Sequence, residues 1–107
     1  MPRRATPTPP VIRRALADVG RHLSDWRRLH DLSAAQVADR AGVSLMTVRR
    51  LEDGKGASLE NTLRVARALG ILEQLVGAAD PTTTDLGRAR ALDALPRRAS
   101  GGRRSRS

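Results

Sequence analysis

The sequence predicts an all-α protein: a compact five-helix domain over residues 11–76, between a disordered basic arm at residues 1–10 and a flexible basic tail at residues 77–107. Three observations support this fold class. Apolar residues recur at steps of three and four, as on one face of a helix. Serine and glycine stand where such segments would begin and end. No segment of the core alternates apolar and polar residues as a strand would.

The first predicted helix runs from about Val11 to His30. Its apolar face consists of Ile12, Leu16, Val19, Leu23, Trp26 and either Leu29 or His30. Gly20 interrupts this pattern, at a cost of about 1 kcal/mol relative to alanine if the helix is continuous. The four prolines of residues 1–10 prevent the arm from being helical as a unit.

Residues 33–52 predict a helix, a glycine-centred turn and a second helix. Ser33 and Gln36 form a capping box that starts the second helix of the chain near Ala34. The inner face of that helix consists of Val37, Ala38 and Ala41. Gly42 supplies the left-handed backbone conformation that ends it.

The third predicted helix follows Ser44, its N-cap, while Val43 fills the turn. Val48 and Leu51 face inward. The remaining positions then point outward: Leu45, Met46, Arg49 and Arg50, with Thr47 at the edge. Two short helices that cross at a steep angle in this way can place the second helix in the major groove of DNA.

The fourth helix begins at Ser58, after a loop at residues 53–56, and ends at Gly70. Its predicted buried stripe is Leu59, Leu63, Ala66 and Leu69. The fifth helix is short and apolar on nearly all sides, through Ile71, Leu72, Leu75 and Val76. A monomer of this size would have difficulty burying these four residues, so we expect them to form a homodimer interface. The alternative is that this helix folds over the core of its own chain.

The net charge of +9 is concentrated at the two ends of the chain. Residues 1–10 carry +2, residues 11–76 carry +3 from 11 basic and 8 acidic side chains, and residues 77–107 carry +4 from 7 basic and 3 acidic ones. Arginine-rich ends serve either as phosphate-binding arms or as solvated tails. Residues 80–84 predict a linker. The weak apolar repeat that follows is too sparse to fold alone: Leu86, Leu92 and Leu95.

Composition disfavours several classes of protein. The chain has no cysteine, which removes disulfides, thiolate nucleophiles and cysteine-based zinc sites. Trp26 is the only Phe, Trp or Tyr residue in the sequence. Proteins that bind RNA or single-stranded DNA usually stack bases on aromatic side chains, so the composition disfavours that class. His22 and His30 lack partners at metal-ligand spacing, and Glu52 and Asp53 point in different directions. We therefore expect no metal, no cofactor and no enzymatic activity.

The chain also lacks the signals of a secreted or membrane protein. No apolar run approaches the roughly 18–20 residues that span a bilayer, and the N-terminus has no apolar core. We expect a cytoplasmic protein, associated with the nucleoid when it is bound to DNA. Residues 54–58 weakly suggest a phosphate loop, but they lack its first glycine and the preceding strand.

Residues that match a known family recur at its characteristic spacing: Arg27, Leu32, Ser33, Gln36 to Ala38, Ala41 to Ser44, Thr47, Val48, Leu51 to Gly54 and Leu63. On these positions the segment 27–69 resembles the helix-turn-helix family that includes the phage 434 and lambda repressors, often called the Xre family. The resemblance implies the lambda-repressor-like five-helix fold. It also implies sequence-specific binding to a palindromic operator in double-stranded DNA, with transcriptional repression as the function.

A narrower similarity is to HipB-type antitoxins, which accompany HipA-type kinase toxins. The residues that carry it are Trp26, Arg27, Arg50 to Gly54, Ser58, Leu59 and Leu63 to Gly70. It implies that the protein autorepresses its operon and neutralises the kinase by binding it. Two alternatives remain: a stand-alone or phage-derived regulator of the Xre type, and a protein-interaction module that has lost DNA readout.

The resemblance implies base contacts from five residues: Leu45, Met46, Thr47, Arg49 and Arg50. The phage repressors carry glutamines where Leu45 and Met46 stand. These apolar side chains could press on thymine methyl groups, or they could make weak, non-specific contacts. Arg50 could bind guanine through two hydrogen bonds, whereas Arg49 lies nearer the flank, where phosphate is its alternative partner.

Phosphate contacts are expected at the starts of three helices and in the loop between the third and fourth, from Ser33, Ala34, Ser44, Lys55 and Ser58. Lys55 could instead be a solvated loop lysine. The resemblance also implies an ion pair between Arg27 and Glu52, which joins the first helix to the end of the third. Trp26 is expected in the core or at a dimer edge, with partner binding as the alternative.

Overall fold

The computed structural model describes residues 6–94, and it confirms the all-α class. The described chain contains six α-helices and no strand: α1 (Pro10–Leu29), α2 (Ala34–Ala41), α3 (Leu45–Glu52), α4 (Leu59–Ala68), α5 (Leu72–Ala78) and α6 (Asp85–Ala94). A 3-10 turn, Pro81–Thr83, precedes α6. The chain divides into two compact units between Glu73 and Gln74. The ends of the predicted arm and tail, residues 1–5 and 95–107, lie outside the described residues.

α1 is one continuous helix of 20 residues that passes through Gly20 without a break. Pro10 stands at its first position, where the missing N–H is no loss because that group has no partner within the helix. The helix ends where Asp31 adopts a left-handed conformation with φ of 56°. The N–H of Leu32 then donates to the Arg27 carbonyl at 3.0 Å, which satisfies one of the last carbonyls of the helix.

The ends of α2 and the start of α3 confirm the predicted capping residues. The Ser33 hydroxyl accepts the Gln36 N–H, and the Gln36 side chain accepts the Ser33 N–H in return. Gly42 ends α2 with φ of 72°, a conformation that a side chain would strain. The Ser44 hydroxyl caps α3 by accepting the Thr47 N–H at 3.0 Å. These local bonds fix the positions at which α2 ends and α3 begins.

The core of the first unit lies between α1, α2, α3 and α4. Its buried apolar residues are Leu23, Val37, Ala38, Ala41, Val48, Leu51, Val65, Ala66, Leu69 and Ile71. The inner faces predicted for α2 and α3 are confirmed. In α4 the prediction is partly wrong, because Val65 is buried whereas Leu59 is exposed. Leu59 is the first residue of α4, and the first buried residue of the helix, Val65, lies nearly two turns later.

The apolar face predicted for α1 is largely exposed. Only Leu23 of its members is buried, and Ile12, Val19, Trp26 and Leu29 are exposed. The buried residues of α1 are Gly20, Leu23 and Ser24, so the core contacts the side of the helix that carries these three, and Val19 and Trp26 lie beside that side. Ile12 and Leu29 lie near the two ends of the 20-residue helix, beyond its buried part.

The second unit corrects the predicted linker and tail. Residues 81–83 form a 3-10 turn, and residues 85–94 form α6, where we expected no regular structure. The Asp80 carboxylate accepts hydrogen bonds from the N–H and the hydroxyl of Thr82 at 2.9 and 2.7 Å. The Thr84 hydroxyl accepts the Gly87 N–H at 2.9 Å. These hydrogen bonds join residues two or three positions apart and hold the turn and the start of α6. The pattern of apolar residues in the sequence does not reveal them.

Candidate nucleic-acid interface

α3 has one buried face and one exposed face. Val48 and Leu51 are buried, and the helix packs against α1, α2 and α4. Four exposed side chains lie on the other side: Leu45, Met46, Arg49 and Arg50. Because a helix has 3.6 residues per turn, these four residues share one side of α3. The core thus holds the back of the helix and leaves a continuous outer face.

The outer face changes character along α3. Its first turn is apolar, with Leu45 exposed by 37% and Met46 by 64%. Its second turn carries the guanidinium groups of Arg49 and Arg50. Arg50 Nη2 donates to the Lys55 carbonyl at 3.3 Å, so this side chain lies against the loop that follows α3. An apolar patch and two cationic donors therefore lie one helical turn apart.

Thr47 differs from the four residues of the outer face. It is half-buried, and its hydroxyl lies 2.9 Å from the Ser44 hydroxyl while its N–H donates to the same oxygen. Ser44 and Thr47 occupy the N-cap and N3 positions, and the bond from the Thr47 N–H to the Ser44 hydroxyl is the usual N-cap contact. The structure therefore uses the Thr47 hydroxyl in the cap of α3, although its sequence position predicts a base contact.

The three serine caps lie at exposed helix starts. Ser33, Ser44 and Ser58 each accept an N–H from the residue three positions later. The N–H groups of Ser33 and Gln36 are engaged in the capping box, so helix geometry leaves the amides of Ala34 and Ala35 without intrahelical partners at this end. Lys55 is exposed in the loop before α4. The positive ends of the helix dipoles can attract anions at these positions.

Arg27 and Glu52 form a two-point ion pair between α1 and the last residue of α3. Arg27 Nε lies 2.7 Å from Glu52 Oε2, and Nη2 lies 3.0 Å from Oε1. Arg27 Nη1 also donates to the Leu32 carbonyl at 3.0 Å. The two side chains are only 17% and 16% exposed. The hydrogen bond to Glu52 raises the pKa of Arg27 above its ordinary value, so the guanidinium is held charged.

A close helix crossing lies beside this ion pair. Gly20 is buried, and a methyl group at its α-carbon would overlap the Leu51 carbonyl and lie 2.8 Å from the Glu52 carbonyl. Only a residue without a side chain lets α1 pass this near the end of α3. Gly20, which interrupts the apolar pattern of the first helix in the sequence, is therefore the contact that positions the third helix.

The family model described as helix-turn-helix matches residues 23–74, just under half of the chain. This segment is a helix-turn-helix domain. Its two characteristic helices are α2 and α3, which the Gly42 turn joins. Helix-turn-helix is a DNA-binding family of the Xre-like kind, and such domains occur in transcription regulators. No curated protein and no solved structure matches the chain.

Ile71 belongs to the core of the helix-turn-helix domain, so little of its side chain is left for the predicted dimer interface. It is 8% exposed, and its N–H donates to the Ala66 carbonyl at 2.9 Å. The left-handed turn at Gly70 directs Ile71 back onto the core before α5 begins. Leu72 and Leu75 are half-buried, whereas Val76 is exposed.

A contact that the sequence analysis missed joins the ends of α1 and α4. His30 Nε2 is hydrogen-bonded to the Leu69 carbonyl at 2.8 Å, and its ring stacks on Trp26 with centroids 6.1 Å apart. The i, i+4 spacing of Trp26 and His30 is the signal that could have revealed this stacking. Trp26 is 38% exposed, so it lies at the edge of the helix-turn-helix domain and not in the core.

The described residues include no group of three or more histidine, aspartate or glutamate side chains that could hold a metal ion. No helix in this part of the chain is long and apolar enough to cross a membrane. The expectations of no cofactor and no enzymatic activity stay predictions.

Proposed function

We propose that this protein is a transcriptional repressor that binds a specific operator sequence by inserting α3 into the major groove. The outer face of α3 carries this proposal, since Leu45, Met46, Arg49 and Arg50 are exposed together on a helix whose other face is buried. A helix held in this way presents side chains to the edges of base pairs while the core fixes its orientation.

Phosphate contacts from the helix starts and the loop would set the position of α3 on the duplex. The amide of Ala34 and the side chain of Lys55 lie on either side of α3 in the sequence, where Ala34 is half-buried and Lys55 is exposed. Arg50 now contacts the Lys55 carbonyl, and it would exchange this contact for the O6 and N7 atoms of guanine. Arg49 would contact phosphate or a flanking base.

The proposal is tested by binding of the full-length protein to its own upstream DNA and to random duplex at two salt concentrations. Specific recognition predicts a preference of about a thousandfold or more for the upstream DNA. Binding that depends on salt without preference for sequence would contradict the proposal. It would instead favour a protein-interaction module whose helix no longer reads DNA.

A pair of matched variants assigns the recognition to α3. Arg50→Ala should weaken binding to the preferred site by about 5- to 150-fold, which corresponds to the loss of one two-point contact to guanine. Arg21→Ala removes the same charge from α1, where the side chain is 60% exposed and paired with Asp18. It should leave the sequence preference unchanged. Equal losses of affinity in the two variants would mean that the loss reflects the removed positive charge and not a contact to a base.

A homodimer on a palindromic operator follows from the need for two recognition helices. Two half-sites would lie about 34–36 Å apart, one turn of DNA. With Ile71 in the core, the proposed interface consists of Leu72, Leu75 and Val76 on α5. Light scattering at micromolar concentration should give twice the mass of the chain, and Val76→Glu should return it to the monomer mass. A monomer mass for the unaltered protein would contradict this interface.

The finer proposal is that the repressor is a HipB-type antitoxin that binds a HipA-type kinase. It is supported by the similarity of residues 26–27, 50–54, 58–59 and 63–70 to that subfamily. The test is whether the protein co-purifies with a kinase encoded beside it and abolishes the activity of that kinase. Operator binding without such a neighbour would favour a stand-alone or phage-derived regulator.

A further inference from the structure

We infer that the first turn of α3 is a methyl-group reader, so that the protein selects thymine or 5-methylcytosine at the bases this turn meets. The inference rests on the proposed function and deepens it. Leu45 and Met46 are the exposed side chains of this turn, and neither offers a strong hydrogen-bond donor or acceptor. The C5-methyl group is the apolar feature that a base presents in the major groove.

The polar groups near this turn are already engaged in capping α3. The Ser44 hydroxyl accepts the Thr47 N–H at 3.0 Å and lies 2.9 Å from the Thr47 hydroxyl. Redirecting the Ser44 hydroxyl to a base would break its bond with the Thr47 N–H, a contact that contributes about 1 kcal/mol in typical helices. The Thr47 side chain is half-buried and its hydroxyl lies against Ser44, so the exposed part of the first turn is apolar.

The outer face of α3 also lacks any carboxylate or amide oxygen, since it consists of Leu45, Met46, Arg49 and Arg50. It can therefore donate hydrogen bonds to guanine through its arginines, but it has no strong acceptor for the amino groups of adenine or cytosine. Met46 and Arg50 are about 6 Å apart along the helix axis. The preferred half-site should thus combine a methyl-bearing base with a guanine within a few base pairs.

The experiment begins with selection of the preferred duplex from a random library by the full-length protein. Each thymine of that duplex is then replaced by deoxyuridine, which removes the methyl group alone. At one or two positions the affinity should fall about three- to fivefold, the effect of losing one buried methyl contact. A T·A to C·G replacement at the same position should weaken binding, and 5-methylcytosine should restore most of the loss.

Variants assign the effect to the first turn of α3. With Met46→Ala or Leu45→Ala the thymine and deoxyuridine duplexes should bind almost equally, whereas Arg50→Ala should keep the full difference. Because both apolar residues are exposed, thermal melting should show folded variants. Equal binding of the thymine and deoxyuridine duplexes by the unaltered protein, or an undiminished difference in both alanine variants, would overturn the inference. Failure to select any preferred duplex would instead reject the proposed function itself.

Discussion

At the scale of single residues, the contact between Arg27 and Glu52 determines how α3 is held. Both groups are mostly buried, and Arg27 also satisfies the carbonyl of Leu32. Loss of either partner would leave the other charge in a poorly solvated position, which is more destabilising than the loss of an exposed pair. The pair formed by Arg21 and Asp18 provides that comparison, since its side chains are 60% and 45% exposed.

We therefore predict that Arg27→Ala lowers the free energy of unfolding by about 2 kcal/mol or more, because Glu52 is left without its partner. Arg21→Ala should change it by no more than about 0.5 kcal/mol. Urea unfolding followed by circular dichroism measures both values. Equal stability of the two variants would show that the Arg27 pair has no special role.

At the scale of helices, the crossing of α1 over α3 depends on Gly20. Alanine normally stabilises a helix relative to glycine by about 1 kcal/mol. At Gly20 a methyl group would instead overlap the Leu51 carbonyl, which belongs to the backbone and cannot rotate away. We therefore expect this overlap to destabilise the fold by more than the helix propensity of alanine stabilises it.

Gly20→Ala is predicted to lower the melting temperature, while Gly77→Ala is predicted to raise it or leave it unchanged. Gly77 is the matched control, because it lies in α5 and, outside its own helix backbone and chain neighbours, no atom of the described residues lies within 4 Å of a methyl group built there. Differential scanning calorimetry of the two variants gives the signs. A stabilised Gly20→Ala protein would mean that α1 and α3 can separate without loss.

The turn before α6 should respond to acid. Hydrogen bonds from the hydroxyl and the N–H of Thr82 lower the pKa of Asp80 from its ordinary value of 3.8. Because the lowered value belongs to the folded turn, the carboxylate stabilises the turn above pH 3.8, and this stabilisation is lost as the pH falls through the lowered pKa. The amide resonance of Thr82 should titrate with a midpoint below 3.8, and in Asp80→Asn it should not titrate there. A midpoint at or above 3.8 would contradict the capping role.

Elements specified by neighbouring residues could be predicted from the sequence, whereas burial that depends on distant helices could not. The caps of α2 and α3 involve hydrogen bonds between residues only a few positions apart, at Ser33, Gly42 and Ser44. The boundaries of these helices could therefore be predicted from the sequence. The exposure of Val19 depends on which side of α1 packs against α3, and that side carries Gly20 and Leu23. Similarly, the burial of Ile71 depends on the direction that the chain takes after α4.

The candidate site shows the same division. The outward direction of Leu45, Met46, Arg49 and Arg50 follows from helical spacing, and their exposure in the structure agrees with it. The engagement of the Thr47 hydroxyl with Ser44 depends on a rotamer that spacing does not specify. The contact between Arg50 and the Lys55 carbonyl likewise depends on the path of the loop.

At the scale of the whole molecule, the proposed function divides attraction to DNA and reading of the base sequence between different parts of the chain. The region from residue 11 to residue 76 carries +3, whereas the total is +9. We expect arginines near the end of the chain to add attraction to phosphate that does not depend on base sequence. Their positions are Arg97, Arg98, Arg103, Arg104 and Arg106. Affinity for any duplex and preference for one duplex should therefore be separable.

Replacing these five arginines with glutamine should weaken binding to all duplexes. The dependence of log affinity on log salt should become less steep by up to about 4.5, since each neutralised phosphate contributes about 0.9. The ratio of affinities for the preferred and random duplexes should stay the same. Lys55→Gln is the control, and it should reduce the slope by no more than about 1. Titrations at several salt concentrations measure both quantities. If the ratio of affinities for the preferred and random duplexes falls when the arginines are replaced, the tail takes part in recognising the sequence. A purely electrostatic tail must act equally on every duplex.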